Sequence, residues 1–127
     1  MAKKVLVVED DQSLQDAIAL KLKKEGIIPL VAKSCVEAIK VLTSEKNIDA
    51  VWLDHYLFGD CDGLAIVKRI RQEKKWSELP IFVVSNTIAP EKVQPYFDLG
   101  AEKYYVKSDY RLEEIIDDIK AKWNEKK

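Results

Sequence analysis

The sequence predicts a single doubly wound α/β domain in which five strands of a parallel sheet alternate with five helices. Three observations predict it. Short apolar runs, mostly β-branched, recur five times along the 127 residues. They are continuous rather than alternating, as in strands covered on both faces. Each is followed by a stretch with apolar residues at helical spacing. Such β-α repetition builds a parallel sheet, and right-handed crossovers place helices on both of its faces.

The elements follow in order. Strands are expected at Val5–Val8, Ile27–Val31, Ala50–Leu53, Ile81–Val84 and Tyr104–Val106. The first helix presents Leu14, Ala17, Ile18 and Leu22 on one face, and the second Cys35, Ala38, Ile39 and Leu42. Leu64, Val67 and Ile70 mark the third, and Val93 with Phe97 a shorter fourth. Leu112, Ile115, Ile116, Ile119 and Trp123 form the clearest stripe, on the fifth. Ser34 and Glu37 have capping-box spacing before the second helix. Pro90 suits the first turn of the fourth, and Asp109 is read as N-cap of the fifth. Gly26 and Gly100 stand where the first and fourth helices should stop, and Pro80 opens the fourth strand.

A chain of this length is one domain with a core large enough to need no staples. Lys+Arg 21 against Asp+Glu 22 leaves a formal charge of -1, which gives no electrostatic case for nucleic acid or an acidic membrane surface. The basic residues Lys120, Lys122, Lys126 and Lys127 suit the negative end of a last helix. Cys35 and Cys61 are 26 positions apart without a CxxC pattern, so neither a disulfide nor a zinc site is expected. No signal-like or membrane-length apolar run is present, which reads as a cytoplasmic protein.

In open parallel sheets, ligands bind beyond the carboxyl ends of the strands. The first strand ends in Glu9, Asp10 and Asp11, the third in Asp54, the fourth in Ser85 and the fifth in Lys107. Gathered carboxylates repel one another unless a proton or cation intervenes. An all-oxygen set with open water positions suits Mg²⁺ or Mn²⁺. A carboxylate can also attack phosphorus, given positive charge and a donor for the transferring oxygens. Lys107 and Ser85 supply those groups.

With these residues in place, the chain resembles the receiver domain of two-component response regulators along essentially its whole length. The matching segments are Val5-Leu6-Val7-Val8-Glu9-Asp10-Asp11, Val51-Trp52-Leu53-Asp54, Asp62-Gly63-Leu64, Pro80-Ile81-Phe82-Val83-Val84-Ser85 and Gly100-Ala101-Glu102-Lys103-Tyr104-Tyr105-Val106-Lys107. The resemblance implies a flavodoxin-like sheet of order 2-1-3-4-5. It implies that Asp54 accepts a phosphoryl group from a phosphohistidine of a histidine kinase or histidine phosphotransfer protein. Asp10 and Asp54 would hold Mg²⁺ directly, with the Tyr56 main-chain carbonyl, and Glu9 through water. Ser85 and Lys107 would contact the phosphoryl group, and Tyr104 would be the switch aromatic. Such a protein signals rather than acting as an enzyme on a separate substrate, although it catalyses its own phosphorylation and dephosphorylation. The implied output is contact with a target protein through the fourth helix, fifth strand and fifth helix, as a monomer or an activation-linked homodimer. The chain ends soon after the fifth helix, so no separate output domain is expected in residues 1–127.

Several residues depart from the family pattern. Ser108 follows Lys107 where proline is usual, and a cis bond before a non-proline residue costs about 2.5–4 kcal/mol, so this bond is expected to be trans. The loop from Asp54 to Asp62 is one residue longer than usual and carries Phe58 in place of proline; Asn86 follows Ser85 where a small residue is common. Asp11 reads equally as a first-turn acid or a site residue. His55, the single histidine, should point away from Asp54 and pack beside the site. Cys61 shows no sequence sign of a lowered thiol pKa. Trp52 reads as core, and Trp76 has no assignment. Tyr56 and Thr87 flank the site and would shield it from water.

A docking-only receiver is the alternative, kept open by Ser108 and the longer loop. An aspartyl phosphatase would need a second acid two residues after the first, where Tyr56 stands. A flavin domain would need a phosphate-cradling loop where Glu9-Asp10-Asp11 would repel a phosphate.

Overall fold

The structure is a computed structural model that describes residues 2–57, 59 and 61–125. The strands are β1 (Lys4–Val8), β2 (Ile28–Ala32), β3 (Ala50–Leu53), β4 (Ile81–Ser85) and β5 (Lys103–Val106). The helices are α1 (Gln12–Lys24), α2 (Cys35–Ser44), α3 (Gly63–Gln72), α4 (Pro90–Asp98) and α5 (Leu112–Trp123), with short 3₁₀ turns at Lys74–Trp76 and Lys107–Asp109. All strand pairs are parallel, in the order β2-β1-β3-β4-β5. Chain order reverses between β1 and β3, which opens the crevice above their carboxyl ends.

The period of two along each strand divides the core into two layers. Leu6, Val8, Val51, Leu53, Ile81 and Val83 face α2, α3 and α4, where Ala38, Leu42, Ile66, Val67, Ile70 and Tyr96 close the layer. Val5, Val7, Ala50, Trp52, Phe82 and Val84 face α1 and α5, against Ile18, Leu22, Ile115, Ile116 and Ile119. Each fully buried aliphatic side chain contributes about 1.5–3 kcal/mol, so the three central strands anchor the fold. The Trp123 indole N–H donates to the Asp49 carbonyl at 3.0 Å, tying the end of α5 to the entry of β3.

Gly26 (φ 75°) and Gly100 (φ 81°) end α1 and α4 in the left-handed region, where a Cβ would be strained. Pro80 stands immediately before β4 and keeps its carbonyl for the Val51 N–H at 2.9 Å.

The structure corrects five expectations. First, β2, an edge strand of the expected order, is not covered on both faces: Ile28 and Val31 are exposed. Apolar runs do not distinguish an edge from a centre. Second, the buried face of α4 is set by Tyr96, while Phe97 is exposed. Third, α5 begins after Arg111, whose N–H is accepted by Glu114 at 2.9 Å, because Asp109 is taken up in the preceding 3₁₀ turn. Fourth, Ser34 caps α2 through the Glu37 N–H at 3.2 Å, but Glu37 returns its bond to the Lys33 N–H at 3.0 Å, one residue short of a capping box. Fifth, Cys35 and Cys61 are joined as a disulfide with their Cα atoms 6.3 Å apart. Their separation in sequence concealed this, because the crossover from α2 through β3 returns the chain to the start of α2. Phe58, Lys126 and Lys127, singled out above, lie outside the described residues.

Candidate functional site

The strand ends deliver the polar residues to one place. Glu9 follows β1, and its main-chain N–H donates to the Ala32 carbonyl at 3.0 Å; Asp54 follows β3, and its N–H donates to the Val8 carbonyl at 3.1 Å. The backbone thus fixes both carboxylates before any side chain acts. Carboxylate oxygens of Glu9, Asp10 and Asp54 lie within 4.8 Å of one another. Glu9 and Asp54 are buried, at 1% and 6% exposure, and Asp10 is half-buried. Asp11 stands outside this group as N-cap of α1, accepting the Leu14 N–H at 3.0 Å.

Lys107 leaves the end of β5 and reaches across the site. Its Nζ is 2.9 Å from Asp54 Oδ2 and 2.9 Å from Glu9 Oε1. The Lys107–Ser108 bond is trans, since no cis peptide bond occurs among the described residues. Burial works against the charge on Lys107, but the two carboxylates outweigh it and raise its pKa. Glu9 is pushed up by burial, and its bonds to Lys107 and to the Asp11 N–H oppose that shift.

Ser85 closes the site at the end of β4. It is fully buried, and its Oγ has no hydrogen-bond partner among the described residues. Ser85 nonetheless acts on the Tyr104 phenol of the neighbouring strand, where it opposes the larger effect of burial. Tyr104 lies half-buried on β5 with its hydroxyl donating to the Thr87 carbonyl at 2.9 Å, and burial raises its phenol pKa. Tyr56 is exposed, its ring edge against His55, and its N–H lies 3.4 Å from Asp54 Oδ1. Asn86 points to solvent.

Gln15 and Tyr96 support the site and were not found from the sequence. Gln15, buried on α1, donates to the carbonyls of Glu9 and Ala32 at 3.0 and 3.2 Å and so holds the end of β1. Its signal was a polar residue inside an apolar helix face. His55 packs beside the site as expected, but it has partners: its Nδ1 is 2.6 Å from the Tyr96 hydroxyl and its Nε2 3.8 Å from Asp62 Oδ2. Burial holds the Tyr96 phenol well above the ordinary tyrosine range. Gly63 starts α3 so closely under the site that a Cβ there would fall 2.5 Å from the Asp54 carbonyl oxygen.

The comparisons agree with this geometry. Residues 5–120 match the family model of the response regulator receiver domain. A putative response regulator, NtrX-like, from Rickettsia conorii is 38% identical over 104 residues, covering 81% of this chain and 21% of that protein. The chain therefore spans about a fifth of the length of the first curated relatives it matches. A chemotaxis protein CheY homolog of Campylobacter jejuni is 29% identical over 119 residues, covering 91% of each chain. The crystal structure of a response regulator receiver protein from Pseudomonas putida superimposes with a TM-score of 0.86 at 27% identity, covering 96% of this chain and 98% of that one. This chain belongs to the response regulator receiver domain family of two-component systems.

Proposed function

We propose that the chain is a phosphorylatable receiver with Asp54 as the phosphoacceptor. The observation that carries this reading is the pairing of Lys107 with both Asp54 and Glu9, with the buried Ser85 at the end of the adjacent strand β4. An Asp54 carboxylate oxygen forms a bond to phosphorus as the bond from phosphorus to the donor imidazole nitrogen breaks, and the electron pair leaves with the imidazole. Lys107 then exchanges part of its pairing for a phosphoryl oxygen, and Ser85 Oγ donates to another. Both groups are fixed beforehand and need little reorganisation during transfer.

The donor set fits a hard divalent cation: three carboxylates at one sheet edge, all oxygen, with Asp10 only half-buried. Asp10 and Asp54 would hold Mg²⁺ directly, with the Tyr56 carbonyl, and Glu9 through water; Mn²⁺ suits the same set. The ion would supply positive charge opposite the phosphoryl oxygens. The donor partner is a histidine kinase or histidine phosphotransfer protein in the cytoplasm; no described helix is long and apolar enough to cross a membrane. The output is contact with a target protein over α4, β5 and α5, where Phe97 on α4 is exposed, as are Ile88 and Tyr110 in the loops that lead into α4 and α5. The Tyr104–Thr87 bond links that surface to the strand end carrying Ser85.

Intact-mass spectrometry after incubation with Mg²⁺ and acetyl phosphate tests the reading. A gain of one phosphoryl group that requires Mg²⁺ and vanishes in Asp54→Asn is expected. No gain, with the fold intact, would leave a docking-only receiver.

A further inference from the structure

The two cysteines lie outside the phosphoryl site, at the two ends of the chain segment that carries it. Cys35 is the first residue of α2, and Cys61 precedes Asp62, the N-cap of α3. The covalent loop they close contains β3, Asp54 and Tyr56. We propose that Cys35 and Cys61 are a reversible thiol–disulfide modification site that clamps the loop following the phosphoacceptor; the regulatory half of this proposal rests on the receiver reading above.

Three observations carry it. The Cα separation of 6.3 Å falls in the range that a disulfide spans without backbone movement. Both sulfurs also lie 3.6 Å from the Asp62 carbonyl oxygen, so each thiol has an acceptor once the bond is reduced. The same backbone thus accommodates either state. Both cysteines are partly exposed and so open to reagents. In a reducing compartment, a disulfide of this kind is transient rather than structural.

The chemistry requires an oxidant, here a low-molecular-weight disulfide. The Cys35 thiolate attacks one of its sulfurs and expels a thiolate. The Cys61 thiolate then attacks the Cys35 sulfur in the mixed disulfide and expels the second. Two protein thiols are oxidised, one small disulfide is reduced to two thiols, and the two protons pass to those products.

The bond reaches the site through Asp62. Its Oδ1 accepts the Ala65 N–H at 3.1 Å, and its Oδ2 lies 3.8 Å from His55 Nε2. The Gly63 N–H in turn donates to the His55 carbonyl at 2.8 Å. The clamp therefore fixes the return arm of the loop that leaves Asp54 and presents the Tyr56 carbonyl. Pre-ordering that loop raises the fraction of molecules competent for phosphoryl uptake.

The test equilibrates the full chain with mixtures of reduced and oxidised glutathione, alkylates free thiols and reads their number by intact mass. Mg²⁺-dependent phosphoryl uptake from acetyl phosphate is then timed for each form, beside Cys35→Ser and Cys61→Ser. The expected result is interconversion between two free thiols and none across the glutathione series. Uptake should be at least about threefold faster in the oxidised form. Neither serine variant should respond to the redox buffer, and both should match the reduced protein. Thiols that stay free at every ratio would overturn the modification site. A disulfide that forms but leaves the uptake rate unchanged would overturn the clamp, as would a serine variant that still responds. Failure of both forms to take up phosphoryl would instead sink the receiver reading and the clamp with it, while the thiol count independently decides the modification site.

Discussion

Lys107 bridges two buried carboxylates, and its removal should tell more than that of any other site residue. Lys107→Ala should slow phosphoryl uptake about 100-fold, the usual effect of deleting one preorganised donor at a developing charge. The check is timed uptake from acetyl phosphate. Gly63 offers a steric test: Gly63→Ala forces a Cβ against the Asp54 carbonyl and the Tyr96 hydroxyl. Overpacking of this kind costs about 1–3 kcal/mol, and chemical denaturation should show the loss together with weakened uptake. The charged residues of the site were legible because each stands at a strand end, where the fold class dictates that ligands bind. Gln15, Tyr96 and the cysteine pair were not. Their roles depend on which helix face meets which strand, and no local spacing encodes that.

At the scale of elements, Arg71 does what no periodicity suggested. From the end of α3 its guanidinium donates to the carbonyls of Leu99, Trp76, Leu79 and Gly100 at 2.8, 3.0, 2.9 and 3.1 Å. It joins α3 to the turn between α4 and β5, next to the proposed output surface. Arg71→Ala should cost about 2 kcal/mol in equilibrium denaturation, since hydrogen bonds to charged groups contribute about 1.5–3 kcal/mol. Arg71→Lys should restore only part of this, because an ammonium lacks the planar fork. Five strands and five helices were readable from apolar rhythm and from glycine and proline punctuation. The edge position of β2 followed only from the family resemblance, and the buried face of α4 was not readable. A five-residue apolar run reads alike at a sheet edge and at its centre, and a short helix with an internal proline at 95 leaves two faces equally plausible.

For the molecule as a whole, the two helical layers place titratable groups in the core as well as at the site. Burial raises the phenols of Tyr96 and Tyr105 above the ordinary value of 10, and for Tyr105 the bond to Asp118 at 2.7 Å adds to the effect. The unfolded chain therefore releases these protons first as pH rises. Their contribution is complete below the unfolded value of 10 and is lost as pH climbs above it. Denaturation midpoints should thus fall steeply above that pH, and Tyr105→Phe should flatten the fall. Removal of Mg²⁺ should lower the thermal midpoint as well: an ion at 100 times its Kd stabilises the folded state by about 2.7 kcal/mol. Asp54→Asn should shrink that response.

Locating the phosphoryl group tests the role of Asp54 without intermediaries. Protein phosphorylated with acetyl phosphate and Mg²⁺ is treated with borohydride, which reduces an acyl phosphate to the alcohol, and its peptides are mapped by mass spectrometry. Conversion confined to Asp54 is the expected result. Conversion at Asp10 or another carboxylate, with Asp54 untouched, would overturn Asp54 as the phosphoacceptor.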